Sequence, residues 1–177
     1  LDSEPQPSLM VHAGPDTNCI NFEITDDGQR PDRVSYETAA ETGEENRSAT
    51  FEPNLTLLGN EPANSDSSGL ADFNWYMSVR GSHSDSEMAA LAQARANEQA
   101  FRITAQGELD GSLYGHVLAV GETVGVDGIG EKYGGIYYVD NVRHRFDQQG
   151  YRQTFRLLRN AYGDNLEASS NPLAGLI

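Results

Sequence analysis

The sequence is short of the residues that build catalytic and metal centres. It holds one cysteine, Cys19, so no internal disulfide can form and no Cys/His cluster suggests zinc. Cys19 lies in the apolar run Cys19-Ile20-Asn21-Phe22, which favours a small buried hydrophobe over a nucleophile. The four histidines, His12, His83, His116 and His144, do not pair at metal-ligand spacing. No Gly-x-Ser-x-Gly elbow and no nucleophile–base set is present, so no catalytic residue, metal ligand or cofactor is assigned. No apolar run reaches membrane-spanning length, and no secretory signal opens the chain. It begins at Leu1 rather than Met, which leads us to expect a piece of a longer protein.

Basic charge is scarce and unusual in kind. The net charge is -15, and eleven of the twelve basic residues are Arg. Residues 1–80 carry fifteen acids against four bases, and residues 81–177 twelve against eight. Phosphate affinity needs clustered cations, so specific nucleic-acid binding is not expected. Arg suits interface pairs because its planar fork meets both oxygens of a carboxylate. Base-composition bias in the genome explains the same preference equally well. Hydrophobic content of 37% points to one modest core with long polar loops.

What is present is alternation. Tyr133 to Asn160 holds two runs with a period of two around the loop Asp147-Gln148-Gln149-Gly150, the pattern of a β-hairpin. Pairing Phe146 with Tyr151 sets Val142 opposite Phe155, Asp140 opposite Leu157 and Val139 opposite Leu158. One face then carries Ile136, Tyr138, Val142, Phe146, Tyr151, Phe155 and Leu157. The other carries Arg143, Arg145, Arg152 and Arg156, with Arg145 directly opposite Arg152. Opposed like charges destabilise a hairpin unless acids answer them, from this chain or from a partner. These four arginines are the candidate interface residues.

Further strands are expected at Leu9–Val11, Cys19–Thr25, Val34–Tyr36, Asp72–Arg80, Phe101–Ala105, Val117–Val120 and Thr123–Val126, with a weaker one over Phe51–Leu58. Ser84-x-x-Glu87 is a capping box, and Met88, Leu91, Ala92, Arg95 and Ala96 follow helical spacing, so a helix is placed over about 86–99. Trp75, Phe101, Ile103, Tyr138, Val142, Phe155 and Leu157 are the expected core. Residues 1–8 read as a linker, 9–162 as one domain with acidic loops near 39–48 and 60–70, and 163–177 as a tail. The glycines Gly125-x-x-Gly128-x-Gly130 precede strand rather than helix, so they read as turns and not a phosphate loop. The count suits a mainly β fold: a small antiparallel barrel with one flanking helix.

Five blocks occur in one order: ARANEQ, ITAQGELDG, LAVGETVGVDGIG, GGIYYVDNVRHRF and GYRQTFRLLRNA. Together they cover about Ser84 to Ala161. This stretch resembles the phage late control D family of contractile-tail baseplate hubs, related to the hub part of type VI secretion spike proteins. The resemblance implies a barrel like a tail-tube subunit and a structural, non-enzymatic role joining spike to tube. It also implies trimeric assembly, the tail tube and spike proteins as partners, and a place in a virion or tail-like particle assembled in the bacterial cytoplasm. A carbohydrate-binding sandwich using Tyr133, Tyr137 or Tyr138, and a tail-associated cell-wall hydrolase, are the alternatives.

Overall fold

The computed structural model describes residues 6–38, 47–64, 73–78 and 84–166. In chain order the strands are β1 (Gln6–Met10), β2 (Cys19–Asp26), β3 (Arg33–Thr38), β4 (Arg47–Phe51), β5 (Glu61–Pro62), β6 (Asn74–Met77), β7 (Ile103–Asp110), β8 (Thr123–Asp127), β9 (Gly135–Asp147), β10 (Gly150–Arg159) and β11 (Ala161–Tyr162). The helices among them are α1 (Asp85–Gln99) and the single turn α2 (Gly111–Tyr114). The chain divides into two compact units instead of the one domain expected over 9–162. The first takes residues up to 25, 57–62 and 103 onward, and the second takes 26–56 and 63–102.

The first unit is a six-stranded sheet in the order β1-β8-β9-β10-β7-β2, curled as a half-barrel. Strict alternation drives it: Ile103, Ala105, Leu109, Phe155, Leu157, Val124 and Val126 are all buried, while their neighbours along each strand are not. It is not wholly antiparallel, because β1 pairs with β8 in parallel. That pairing begins at Gln6, within the expected linker, where a strand-edge Pro7 costs no ladder bond. The sheet's two outer strands meet at Asn18. Its backbone N–H donates to Met10 O (3.0 Å), its side chain accepts from Met10 N (2.9 Å), and its own carbonyl accepts from Asp110 N of β7 (3.1 Å). The expected strand over 117–120 is irregular chain. Gly128 and Gly130 have positive φ, as turns require.

The central hairpin is longer than its neighbours, and its register is as expected from Tyr151↔Phe146 to Arg156↔Asn141. It then slips. Leu157 pairs with Val139 and Leu158 with Tyr138, leaving Asp140 as an extra residue in β9. Such a bulge reverses which side chains face the core. Tyr137 and Val139 are therefore fully buried, whereas Tyr138 and Ile136, expected on the apolar face, are only half-buried. Beyond the bulge Val142 returns to the same face as Phe155 and Leu157, but it is half-buried.

The base of this hairpin surrounds a buried cation. Arg159 has no exposed surface, and among the described residues no carboxylate forms an ion pair with it. Instead Nε donates to Leu58 O (3.1 Å), Nη1 to Tyr133 O (2.8 Å) and Gly134 O (2.7 Å), and Nη2 to Gly163 O (2.6 Å). The guanidinium also lies 5.1 Å from the centre of the Tyr137 ring. Burial lowers its pKa from the usual value, opposed by Tyr137 and Asp164. Gly135 sits at φ +125 against this group, and a Cβ there would strike the guanidinium. The segment 57–62 is fastened at the same place: Leu58 N–H donates to Asn160 Oδ1 (2.9 Å), and β5 pairs with β11.

The second unit is the sheet β4-β3-β6 with α1. Val34, Tyr36, Met88, Ala92 and Ala96 form its core. α1 starts as expected: Ser84 Oγ accepts from Glu87 N and the Glu87 carboxylate accepts from Ser84 N. Buried Arg102 closes the unit, donating to Asp32 Oδ1 (2.7 Å) and to Arg30 O (2.7 Å). Trp75, expected as a core anchor, is 37% exposed, and Phe101 is half-buried. The reason is position: β6 is a four-residue edge strand, and Met77 of that strand packs against the core cluster. The weak strand expected over 51–58 is displaced to Arg47–Phe51, so residues 47 and 48 of the expected acidic loop belong to β4. Residues 39–46 and 65–70 of the two loops, and the tail beyond 166, lie outside the described residues.

Replacing Arg159 with Met should lower unfolding free energy by about 3 kcal/mol or more, because four carbonyls, that of Gly134 buried and the others partly so, lose their donor together. Urea denaturation reads this directly. A change within about 1 kcal/mol would mean that water or a shift of the backbone replaces the guanidinium.

Candidate functional site: the β9–β10 arm

Burial falls away along the hairpin. Val139 and Leu157 are fully buried, but every residue from Arg143 to Gly150 is exposed. The outer part is thus an arm with two accessible faces.

On one face the strand pairings set up three rows. They are Gln106–Arg156–Asn141, Glu108–Thr154–Arg143 and Asp110–Arg152–Arg145. The four candidate arginines come together here as expected, and Arg145 does lie opposite Arg152. Three of them are answered within the chain. Arg145 Nε meets Asp147 Oδ2 at 2.5 Å, Arg152 Nη1 meets Glu108 Oε1 at 3.2 Å, and Arg156 Nε meets Asp140 Oδ2 at 3.6 Å. The Gln149 backbone N–H and then Arg145 hold the Asp147 carboxyl below its usual pKa. Asp110 is occupied otherwise, accepting from Ser112 N (2.9 Å) and Leu113 N (3.2 Å) as the N-cap of α2. Arg143 alone of the four has no ion-pair partner among the described residues. It lines a shallow groove of about 380 Å³ with Gln106, Asp140, Asn141, Thr154 and Arg156.

The other face of the arm is aromatic. Phe146 is 75% exposed and stacks on Tyr151, ring centres 4.4 Å apart. The His144 ring also stacks with Tyr151, ring centres 6.0 Å apart, and its Nδ1 lies 2.8 Å from the Tyr151 hydroxyl. Tyr151 is seated because Gly111 has no side chain; a Cβ there would overlap the ring.

The edge of β9 is half covered. β8 pairs with Gly135 to Tyr138, and Val139 exchanges bonds of 2.9 Å with Gly121 N and Glu122 O. From Asp140 to Asp147 no strand pairs on that side among the described residues. The bulge at Asp140 and this open edge were not legible in the sequence, because both depend on where β8 stops.

The alternative chemistries find less here. The Tyr137 ring is fully buried beneath Arg159 and its hydroxyl donates to Tyr133 O (2.7 Å), so it offers no sugar-stacking surface. Among the described residues no three His, Cys, Asp or Glu are grouped to hold a metal ion. A cleft of about 510 Å³ is lined by Val11, His12, Thr17, Cys19, Ile20 and Phe22, among others. Burial pushes its Cys19 thiol up to about 12, far from a nucleophile's range.

No protein-family model matches the sequence, and no curated protein matches it. Solved structures do share the fold. The 43 kDa tail protein of prophage MuSo2 from Shewanella oneidensis superposes with a TM-score of 0.61 at 12% identity, over 89% of this chain and 45% of that one. The tail protein from Neisseria meningitidis MC58 superposes with a TM-score of 0.53 at 15% identity, over 89% of this chain and 44% of that one. The chain therefore spans less than half the length of either. The mainly β architecture is that of phage tail proteins.

Two outcomes test the arm and the thiol. Arg152→Ala should cost about 1 kcal/mol, since its pair with Glu108 is partly shielded, whereas Arg143→Ala should stay within about 0.5 kcal/mol. Equal costs in denaturant titrations would contradict the assigned pairing. Native Cys19 should resist alkylation at pH 8 and react once unfolded. Because its folded pKa lies above the usual 9.0, its contribution to stability holds below about pH 9 and is lost as pH rises toward 12. Rapid native labelling at pH 8 would refute the burial.

Proposed function

We propose that this chain is a structural component of a phage-type tail, and that within the tail it acts as a baseplate hub or part of one, joining spike to tube. The observation that carries the reading is the arm: a long hairpin, exposed over its outer half, with one edge of β9 unpaired from Asp140 to Asp147 among the described residues. A strand edge left open is a template for pairing with another chain, and proteins that work alone usually cover or interrupt it. The fold shared with tail proteins supports the same reading, as does the order of the five sequence blocks from Ser84 to Ala161. In this role the partners are further copies of the chain, the tube protein and the spike protein, and the site of action is the particle. Catalysis has no part in it. The net charge of -15 favours protein partners over nucleic acid.

Mass spectrometry of purified tail particles should find the chain at a fixed ratio to the tube protein. Shortening the arm by joining Asn141 to Arg156 through a tight turn should leave the fold intact and remove the chain from particles. Complete, functional particles that lack the chain would end the reading.

A further inference from the structure

We infer that the open edge of β9 receives an extended segment of a neighbouring protein in which acidic and apolar residues alternate, with one carboxylate placed to meet Arg143. This rests on the assembly reading above and adds the chemistry of the partner strand.

Three observations converge. First, the edge from Asp140 to Asp147 is free of backbone partners among the described residues, so an added strand can form the main-chain ladder. Second, side chains along β9 alternate between two chemically distinct faces. Asn141, Arg143 and Arg145 stand on one, and Val142, His144 and Phe146 on the other. A strand laid alongside must obey the same period, so its residues opposite the first set share the charged face and those opposite the second share the aromatic face. Third, the charges of the arm do not close. Arg145, Arg152 and Arg156 have carboxylates within the chain, and among the described residues Arg143 does not. Asn141 stands on the same strand and face as Arg143, so its amide can hold the second oxygen of an incoming Asp or Glu. On the reverse face the exposed Phe146 ring, braced by Tyr151, offers apolar contact to a Val, Ile or Leu. Arg145, engaged by Asp147, is a spectator.

The test uses the whole chain and a capped synthetic peptide of alternating glutamate and valine. The control peptide has the same composition with all glutamates in one half. The alternating peptide should shift the backbone amide resonances of Val139 to Asp147, and the control should not. Arg143→Glu, on an exposed side chain, should keep the parent's unfolding midpoint yet weaken binding at least about tenfold, about 1.4 kcal/mol. Arg145→Glu should weaken it far less. Equal binding of both peptides, binding of neither, or full affinity in Arg143→Glu would overturn the inference. If no peptide binds while the chain still enters tail particles, the strand chemistry fails and the tail role stands. If the alternating peptide binds with the stated dependence but the chain is absent from particles, the inference holds and the tail role fails.

Discussion

Everything the arm can do depends on one buried cation at its base. Arg159 is the last residue of β10, and it gathers carbonyls from segments far apart in the chain: Leu58, Tyr133, Gly134 and Gly163. A lone buried charge is costly. Here it is offset by hydrogen bonds that all three guanidinium nitrogens donate and by the Tyr137 ring beneath. Only Arg offers this fork, since a lysine ammonium is a single point with three donors. The same seat fastens the strap of residues 57–62, where the chain returns to the first unit between two stretches of the second. A hairpin anchored this firmly can stay ordered where it runs out into solvent, whereas an unsupported two-stranded ribbon is marginal in water.

Beyond the anchor, one extra residue decides which side chains work and which pack. Asp140 is the bulge, and it re-phases β9 so that Tyr137 and Val139 face the core on one side of it and Val142 does so on the other. It also turns its own carboxylate toward Arg156. Outside the bulge the arm's charges are nearly neutralised by Asp147, Glu108 and Asp140, in a chain that is otherwise strongly acidic. An almost neutral, partly aromatic arm on an acidic protein would avoid self-repulsion in the proposed assembly, and its remaining positive charge would favour an acidic partner.

Much of this was legible in the residues and some was not. The period of two between Arg143 and Arg156 named the hairpin, its turn and six of its cross-strand pairs. The capping box at Ser84 placed α1 to within one residue. Both are local signals. The bulge carries no such mark: Asp140 looks like any polar residue in an alternating run, and the slip arises because Tyr137 and Val139 must reach the core between β8 and β10. Trp75 was misplaced because size suggested an anchor, while among the described residues its strand has a neighbour on one side only. Arg159 carries no mark in the sequence, since its four acceptors are backbone carbonyls that no sequence pattern announces. The division into two units was likewise hidden, because segment 57–62 carries no signal of the unit it joins.

The account turns on an arm that is fixed at its base and open along its outer edge. Native-state hydrogen exchange, resolved by residue, examines both halves of that statement together. Tyr137 and Val139 should exchange only by global opening, the β10 amides bonded to β7 or β9 should be strongly protected, and alternate β9 amides from Asp140 to Asp147 should exchange much faster. Uniform protection along all of β9 would mean that the edge is already covered. Rapid exchange through Arg159 and Val139 would mean that the base does not hold.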